Sequence, residues 1–293
     1  MNGKQLRYLL EASTLRLPLA FFRMFGQDRA GAIAGSLVGR AGPKLGISRR
    51  ARKNIAYAMP ELSGEEIDRI VKGMWTNLGQ TISEYAFLED FRKPEIARRI
   101  ELQGTEVLEG VKQHGKGGIF VSGHFANWEL MPLVMQINGS EGGEVYRHAN
   151  NPYVNDWMVD LRARATRNVQ IPKGATGARQ IVRLLRENKF IAMLVDQKMN
   201  DGIEARFFNQ PAMTTAAPAG LAVRYDAPLI PVHFIRKNGS NFLLRVYEPI
   251  YATEGAEPFG EIMRLTQALN DFLEARIREL PSQWLWVHNR WKK

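Results

Sequence analysis

Cysteine is absent from this 293-residue chain. Its absence excludes disulfide bonds, thiolate nucleophiles and Cys-ligated metals, and it suits a reducing compartment. Long hydrophobic runs are missing too, since no stretch of about 18 apolar residues occurs, and the sequence therefore predicts no clear membrane-spanning helix. There is no HEXXH or GxSxG motif, and the five histidines are scattered without ligand spacing. A metal site or a serine-hydrolase nucleophile is therefore not predicted.

The charge that is present is unbalanced, with 40 Lys and Arg against 30 Asp and Glu and a formal net charge of +10. Such a surface favours anionic partners, among them anionic lipid, phosphorylated sugars, nucleic acid or an acidic carrier protein. Near an anionic membrane each cation contributes on the order of 1 kcal/mol, and tryptophan favours the interface. The alternative is an ordinary solvated charged face. The basic residues crowd one early stretch and the tail, where three tryptophans accompany them: Arg40, Lys44, Arg49, Arg50, Arg52 and Lys53, then Arg290, Lys292 and Lys293.

The N-terminal segment LRYLLEASTLRLPLAFFRMF is apolar but is interrupted by charged residues. It is too long and too charged for the core of a signal peptide. Two interpretations remain open: an amphipathic helix lying in a membrane interface, or a helix packed on the protein's own core. We assign residues 1–45 to N-terminal membrane-interacting helices and residues 46–293 to the main domain.

The order of predicted elements indicates an α/β fold. Helices are predicted at about 4–25, 28–40 and 63–89, where Ser63 followed by Glu66 matches a capping box. From residue 117, strand-like runs (GGIFVS, EVYR, NVQI, FIAMLV, LIPVHFIR and FLLRVY) alternate with helical stretches at about 151–166, 175–188, 215–225 and 258–279. This alternation predicts a mostly parallel central sheet flanked by helices, with a helical N-terminal layer.

The segment GGIFVSGHFANWEL carries the strongest chemical signal. A buried strand ends at Ser122, and Gly123 permits a turn that places His124 at the mouth of the sheet. Glu129 is five residues later, which on one continuous helix would separate the two side chains by about 140°. With a turn between them they can meet, and a carboxylate beside an imidazole supports a general base that acts on an alcohol. The alternative is a structural histidine. We expect the Ser122 hydroxyl to hydrogen-bond the turn and not to act as a nucleophile.

GHFANWE resembles the His-x4-acid motif of the lysophospholipid and glycerolipid acyltransferase superfamily, specifically its lipid A biosynthesis (lauroyl/myristoyl, late-stage) branch. The likeness runs from about Arg50 to the C-terminus. It includes RKNIAYAMP, VYRHANNPYVNDW, VDQKMNDGIEARFF and QWLWVHNRW. The resemblance implies a glycerolipid-acyltransferase-like fold, with residues 46–293 as the acyltransferase domain. One departure concerns the N-terminus. These enzymes usually begin with a membrane-spanning helix, whereas the corresponding segment of this chain is interrupted by charged residues.

The resemblance also implies roles for individual residues. His124 and Glu129 would form the catalytic pair, with Arg162 and Asp196 at further important positions. The acceptor pocket would be lined by Asn127, Tyr146 and Arg147, and Gln197 would also bind substrate. Two alternatives stay open: in one, Arg162 pairs only with Asp160 or Glu187, and in the other, Asp196 only caps the turn after its strand.

The function that follows is transfer of a fatty acyl chain from acyl carrier protein to a hydroxyl of a lipid A precursor, by direct attack on the thioester. The resemblance implies no cofactor and no metal. It places the enzyme at the cytoplasmic face of the inner membrane, on an anionic surface, without a nucleic-acid partner. The nearest rivals acylate a phosphatidylinositol mannoside or a lysophospholipid. Ordinary glycerolipid acyltransferases carry a Phe-Pro-Glu-Gly-Thr-Arg-like block where this chain has VDQKMNDGIEARFF. A remote rival is a non-catalytic binder of anionic membrane or nucleic acid.

Overall fold

Helices form the N-terminal layer and flank a central sheet. A computed structural model of the chain describes residues 3–113, 115–137 and 139–291. Its α-helices in chain order are α1 (Gly3–Arg23), α2 (Gln27–Ala41), α3 (Ser48–Ala58), α4 (Gly64–Glu84), α5 (Pro94–Ala97), α6 (Thr105–Gln113), α7 (Met131–Ile137), α8 (Pro152–Ala165), α9 (Ala175–Arg186), α10 (Ala217–Tyr225) and α11 (Pro258–Glu279). Short 3₁₀ helices lie at Gly42–Lys44, Tyr85–Arg92, Trp128–Leu130 and Pro281–Gln283.

The strands are β1 (Ile100–Gln103), β2 (Ile119–Ser122), β3 (Gly142–Tyr146), β4 (Val169–Pro172), β5 (Phe190–Leu194), β6 (Ile203–Phe207), β7 (Gln210–Thr214), β8 (Leu229–Asn238) and β9 (Asn241–Val246). Seven of them form one sheet in the order β1-β9-β8-β2-β5-β3-β4. Every neighbouring pair is parallel except β8 and β9, which are antiparallel. The predicted α/β class, with a mostly parallel sheet flanked by helices, is confirmed.

Several short elements were not predicted from the sequence, among them the strands β1, β6 and β7 and the helix α3. β6 and β7 form a separate two-stranded antiparallel hairpin whose two-residue loop is Phe208-Asn209. Both loop residues have positive φ, 54° and 57°. This backbone normally selects Asn-Gly, so Phe-Asn conceals the turn. β1 is only four residues long, and α3 lies in a stretch whose charge dominates its apolar period.

Helix α4 joins the N-terminal layer to the sheet domain. Its predicted capping box is confirmed, because the Ser63 side chain accepts from the Glu66 backbone while the Glu66 carboxylate accepts from Ser63. α2 approaches α4 closely: a Cβ on Gly79 would lie 2.5 Å from the Ala34 carbonyl oxygen. Glycine at this position therefore permits the contact. α2, from the predicted first unit, thus packs directly on a helix of the second.

Helix α1 has one buried and one exposed apolar face. Ala12, Leu19 and Phe22 are buried against the rest of the protein. The opposite face is an exposed apolar stripe that spans less than a quarter of the helix circumference at 100° per residue. Its members are Leu6, Leu10, Leu17 and Phe21, and the exposed Met24 follows just beyond the end of α1. Within the described ranges no helix is both long and apolar enough to cross a membrane.

The aromatic tail belongs to the core, which corrects its interpretation as an interfacial belt. Trp284 and Trp286 are 1% and 0% exposed. Arg290 is also fully buried, with its guanidinium over the Phe207 ring and hydrogen bonds to the Met213 carbonyl, Thr214 and Asn270. Burying a charged side chain is costly unless it is hydrogen-bonded. The tail can therefore bury its tryptophans together with Arg290 because the guanidinium finds acceptors inside the protein. The tail residues Lys292 and Lys293 lie outside the described residues.

Candidate active site

The site forms where three parallel strands end side by side. β2 pairs with β5, and β5 pairs with β3. His124 follows the end of β2 by two residues, Asp196 follows the end of β5 by two, and Tyr146 is the last residue of β3. Because the carboxyl ends of parallel strands share one edge of the sheet, residues 22 to 72 positions apart come together there. As predicted, His124 lies just beyond the end of a buried strand, β2, at the edge of the sheet.

The turn after β2 is tight and held from outside. A Cβ on Gly123 would lie 2.9 Å from the Phe125 ring and 3.2 Å from the Asp196 carboxylate, so only glycine fits this approach without displacement. Ala126 has a φ of +43°, a conformation that costs on the order of 1–3 kcal/mol. Its carbonyl accepts hydrogen bonds from Thr81 (2.9 Å) and Asn77 (3.3 Å) on α4. Helix α4 therefore holds the strained turn that aims His124.

Asp196 is the carboxylate that holds the imidazole. His124 Nδ1 lies 2.8 Å from Asp196 Oδ1, and the His124 backbone N–H donates to Oδ2 at 2.8 Å. The Trp284 indole N–H donates to the same Oδ2 at 2.7 Å. Burial alone would raise the pKa of the fully buried Asp196 carboxyl, but the charge and hydrogen bonds of His124 bring that pKa well below its usual range. The ionised carboxylate fixes the proton of His124 on Nδ1, so that Nε2 carries the lone pair of a base.

The predicted contact between His124 and Glu129 is therefore wrong in its geometry. The Glu129 carboxylate lies against Arg162, with Oε2 2.7 Å from Arg162 Nε and Oε1 2.6 Å from Nη2. The Tyr85 hydroxyl donates to Oε1 at 2.8 Å. Glu129 lies in the 3₁₀ turn Trp128–Leu130, and its carboxylate is bound by Arg162 of α8. The catalytic role of Glu129 stays a prediction.

The bidentate pair of Glu129 and Arg162 is nearly buried, with side chains 4% and 16% exposed. Burial would raise the pKa of Glu129, yet the charge and hydrogen bonds of Arg162 lower it overall. Glu129 in turn raises the pKa of Arg162 against the effect of burial. The alternative partners of Arg162 are excluded by their own contacts, since Asp160 pairs with Arg164 and Glu187 with Arg183. The alternative in which Asp196 only caps a turn is likewise wrong.

A cavity of about 200 Å³ opens in front of the imidazole. Of the predicted substrate-binding residues, Tyr146, Arg147 and Gln197 line it, together with His124, Glu129 and Arg162. Asn127 does not. It is 1% exposed, its amide donates to Glu84 at 2.8 Å, and its oxygen accepts from the Glu129 backbone. The prediction that Asn127 lines the pocket is corrected to a buried residue that shapes the turn.

The Asn127 contact belongs to a buried ionic cluster behind the turn. Arg236 of β8 makes two hydrogen bonds to the Glu84 carboxylate, at 2.5 Å and 2.9 Å. Ser240 also donates to Glu84, and Arg236 contacts Asn77. Because the charges are paired and hydrogen-bonded, the cluster can stay buried. It ties α4, β8 and the His124 turn into one support.

Several site residues escaped the sequence reasoning. Glu144 and Lys173 line the cavity, and burial raises the pKa of Glu144 to about 7. Tyr85, which binds Glu129, sits in a 3₁₀ helix without any motif. His288 lies in the tail motif QWLWVHNRW, and its ring centroid is 5.2 Å from that of His124. That motif was a signal for His288, whereas nothing local marked Tyr85 or Glu144.

The Ser122 hydroxyl bonds a neighbouring strand, β8, and not the turn that was predicted from the sequence. It is buried and donates to the Val232 carbonyl at 2.8 Å. That bond occupies the proton that a nucleophile would have to give to a base. In the parts of the chain that the structure describes, no cluster of three or more His, Asp or Glu residues could hold a metal ion.

A second depression, which we call the basic cleft, lies on the outer side of the tail. It has a volume of about 730 Å³ and is lined by Arg49, Arg50, Lys53, Asn54, Tyr57, Asn289 and Trp291. Arg50 donates to the Val287 carbonyl at 3.3 Å, and no carboxylate of the described ranges pairs with Arg49, Arg50 or Lys53. Asn54 donates to the carbonyls of Trp286 and His288. The cleft therefore shares one chain segment with the catalytic edge.

Comparison with known proteins agrees with this arrangement. The model of the bacterial lipid A biosynthesis acyltransferase family matches residues 15–293. The lipid A biosynthesis lauroyltransferase of Escherichia coli strain K12 is 26% identical over 255 residues, covering 84% of this chain and 80% of the relative. The lipid A biosynthesis palmitoleoyltransferase of the same strain is 23% identical, with 83% and 78% covered. A phosphatidylinositol mannoside acyltransferase of Mycobacterium tuberculosis is 22% identical, with 84% and 78% covered.

Proposed function

Because the chain belongs to the bacterial lipid A biosynthesis acyltransferase family, and so is an acyltransferase, we propose that it transfers a fatty acyl group from the thioester of acyl carrier protein to a hydroxyl of a lipid A precursor. The observation that carries the proposal is the bond between His124 Nδ1 and the buried Asp196 carboxylate, beside a cavity at the sheet edge. That bond leaves Nε2 facing the reactants as a general base.

The proposed chemistry is one addition and one elimination. The acceptor hydroxyl gives its proton to His124 Nε2 while its oxygen bonds to the thioester carbon, and the carbonyl electron pair moves to oxygen. The tetrahedral oxyanion then re-forms the carbonyl, the carbon–sulfur bond breaks, and the leaving thiolate takes the proton back from His124. No covalent acyl-enzyme is required, which is consistent with the occupied hydroxyl of Ser122.

Glu129 and Arg162 act in this proposal as one unit on the acceptor side of the cavity. Glu129 neutralises part of the Arg162 charge and fixes its plane through two hydrogen bonds. Arg147 and Lys173 at the same cavity add cationic charge. A phosphorylated glycolipid presents anionic groups of the kind that such side chains bind.

The basic cleft supports an anionic donor. Arg49, Arg50 and Lys53 face solvent, and among the residues that the structure describes no carboxylate pairs with them. The neighbouring tail segment also contains His288, which lies beside His124 at the catalytic edge. An acidic carrier protein on this cleft would have only a short path for its thioester arm to His124. Electrostatic attraction of this kind raises the association rate and weakens with salt.

Attachment to the cytoplasmic face of the inner membrane is proposed through the exposed apolar stripe of α1. Four large apolar side chains on one face of α1, with Met24 just beyond its end, exceed the scattered apolar exposure that is ordinary for a soluble surface. Arg29, Arg40 and Lys44 lie in or just after α2, close enough in sequence to place cations near the lipid phosphates.

The acceptor class has one competitor with specific support. Both lipid A and phosphatidylinositol mannoside acyltransferases are relatives at similar identity. We favour the lipid A precursor because the family model that matches the chain is that of lipid A biosynthesis.

The test pairs a cellular and a purified measurement. Mass spectrometry of lipid A from cells with and without the gene should show the loss of one acyl chain. The purified enzyme, given an acyl thioester of acyl carrier protein, should acylate a lipid A precursor faster than a phosphatidylinositol mannoside or a lysophospholipid. Faster acylation of either rival would refute the proposed acceptor.

A catalytically impaired variant controls for contaminating enzymes. His124→Ala should reduce turnover 10²–10⁴-fold while circular dichroism is unchanged, because positioned bases typically contribute that much. Retention of more than about a tenth of the activity would remove His124 from the role of the base.

A further inference from the structure

The resting site contains a contact that the proposed mechanism does not use. The side-chain amide nitrogen of Gln197 lies 3.3 Å from His124 Nε2, the nitrogen that must receive the proton. The same amide nitrogen lies 3.2 Å from Nε2 of His288. Gln197, the residue that follows Asp196, therefore bridges the two imidazoles through its amide nitrogen, which contacts the reacting atom His124 Nε2.

The protonation of His124 fixes the orientation of this amide. The ionised Asp196 carboxylate accepts from Nδ1, so the neutral imidazole has a lone pair and no proton at Nε2. A lone pair needs a donor, and the NH₂ end of Gln197 is the only end of the amide that donates. Its two hydrogens can serve the two imidazoles, one each. His288 then accepts at Nε2 and carries its own proton on Nδ1.

His288 is held so that it can serve as this anchor. Asn54 of α3 donates to the His288 carbonyl at 2.6 Å and to the Trp286 carbonyl at 2.7 Å. Burial lowers the pKa of His288, and the charges of His124 and Arg50 lower it further, against the opposing effect of Asp196. His288 thus stays an uncharged acceptor when His124 becomes an imidazolium.

We propose that Gln197 is a catalytic residue that donates a hydrogen bond to the tetrahedral oxyanion, and that His288 is the positioning residue that keeps the Gln197 amide in place. The proposal rests on the acyl transfer proposed above. When the acceptor hydroxyl takes the lone pair of His124, one Gln197 hydrogen loses its partner. The other stays on His288, so the freed N–H remains within reach of the carbon under attack.

The position of the Gln197 amide suits a donor that gains its acceptor only in the transition state. The oxyanion is bonded to the carbon that the acceptor oxygen attacks, so it lies two bonds from the acceptor oxygen, which itself contacts His124 Nε2. The amide starts 3.3 Å from that Nε2. A donor that gains its acceptor only as charge develops stabilises the transition state more than the ground state. In the step, the hydroxyl proton goes to His124, the carbonyl electron pair goes to the oxyanion, and Gln197 transfers no proton.

The experiment compares kcat and KM of wild type and variants with dodecanoyl–acyl carrier protein and a lipid A precursor. Gln197→Met, which keeps size and removes the amide, should reduce kcat 10²–10³-fold with KM for the donor within about threefold, since the loss of one oxyanion donor costs that much. His288→Phe should reduce kcat about tenfold, since it removes one hydrogen bond that orients the Gln197 amide. His288→Gln, which returns an acceptor near the Nε2 position, should restore most of it.

The double variant separates positioning from mere packing. If His288 acts through Gln197, adding His288→Phe to Gln197→Met should cost no further activity. A full tenfold loss in both backgrounds would overturn the role of His288. Retention of more than about a third of kcat by Gln197→Met would overturn the role of Gln197. Should either substitution unfold the protein by circular dichroism, Gln197→Ala and His288→Leu take its place with the same expected ordering.

A second readout keeps this inference distinct from the proposed acceptor. Hydrolysis of dodecanoyl-pantetheine by the same five proteins uses water in place of the acceptor but needs the same base and oxyanion donor. Failed transfer to the lipid A precursor, with hydrolysis that follows the expected ordering, would refute the acceptor and support Gln197. If Gln197→Met transfers the acyl group to the lipid A precursor as fast as wild type, the proposed role of Gln197 is refuted and the proposed acceptor is not.

Discussion

Asp196→Asn is the sharpest test of the His124 support, because the structure fixes which way the new amide must face. The Oδ2 position accepts two donors, the His124 backbone N–H and the Trp284 indole N–H, while Oδ1 accepts one, from His124 Nδ1. An NH₂ group at Oδ2 would leave two buried donors unsatisfied, at about 1–3 kcal/mol each. The asparagine oxygen should therefore take that position.

The amide NH₂ then faces His124 Nδ1. Nδ1 must become the acceptor, so the proton of the neutral imidazole moves to Nε2 and the base loses its lone pair. A change of this kind in a His–Asp pair costs about 10⁴ in kcat while leaving the geometry intact. We expect a fall of 10³–10⁴ in kcat for Asp196→Asn, with an unchanged KM for the donor within about threefold.

The assay measures transfer at saturating donor and reads the imidazole tautomer by ¹⁵N NMR of labelled histidine. Wild type should show the proton on Nδ1 of His124, and the variant should show it on Nε2. The matched control is Asp201→Asn, an exposed residue five positions further along the chain, which should change neither quantity. A variant with more than a tenth of the wild-type kcat, or with the proton still on Nδ1, would refute the reasoning.

The other predictions concern different contacts. Glu129→Gln removes the charge opposite Arg162 and should lower the free energy of unfolding by about 3–5 kcal/mol in denaturant titration, with a smaller loss of kcat than Asp196→Asn. Ser122→Ala should keep at least about a third of kcat, and wild type incubated with radiolabelled acyl carrier should carry no covalent label. Glu144→Gln should gain about 2–3 kcal/mol of stability relative to wild type between pH 5 and pH 8. Leu17→Asp should weaken binding to anionic vesicles about tenfold or more in co-sedimentation.

The sign of the Glu144 prediction follows from a raised pKa. The folded protein favours the neutral carboxyl, so its contribution to stability is complete below the ordinary pKa of 4.5 and is lost as the pH rises through about 7. Glutamine stays neutral, so the variant does not share this loss. A stability difference that does not grow with pH would contradict the assignment.

The remaining predictions have equally direct counter-outcomes. An equal or greater loss of kcat for Glu129→Gln than for Asp196→Asn would return Glu129 to the role of partner of the base. A stoichiometric acyl label that disappears in Ser122→Ala would make Ser122 the nucleophile of a ping-pong reaction. For Leu17→Asp the control is Phe259→Asp, exposed to a similar degree on α11, and equal weakening by both would remove the stripe from membrane binding.

The sequence by itself determined the alternation of elements, and with it the parallel sheet and the strand end that carries His124. These properties depend on local periodicity and on residues within about ten positions of each other, such as the Ser63 capping box and the Gly123 turn. The motifs around GHFANWE also indicated the family. The elements that the sequence did not predict have a weak or contradictory local signal. One example is the β6–β7 hairpin, whose Phe208-Asn209 turn has two positive φ angles but lacks the usual Asn-Gly pair.

Only the tertiary structure decided which charges meet. Glu129 is five residues from His124, yet one 3₁₀ turn sends it to Arg162, 33 residues away, while Asp196 reaches the imidazole from the neighbouring strand, 72 residues away. The same holds for His288, which arrives from the tail, and for Arg290, whose charge is buried where its position in a basic tail predicted exposure. Side-chain partners depend on the order of strands in the sheet and on a few backbone angles at their ends. Neither is encoded in the spacing of the residues along the chain.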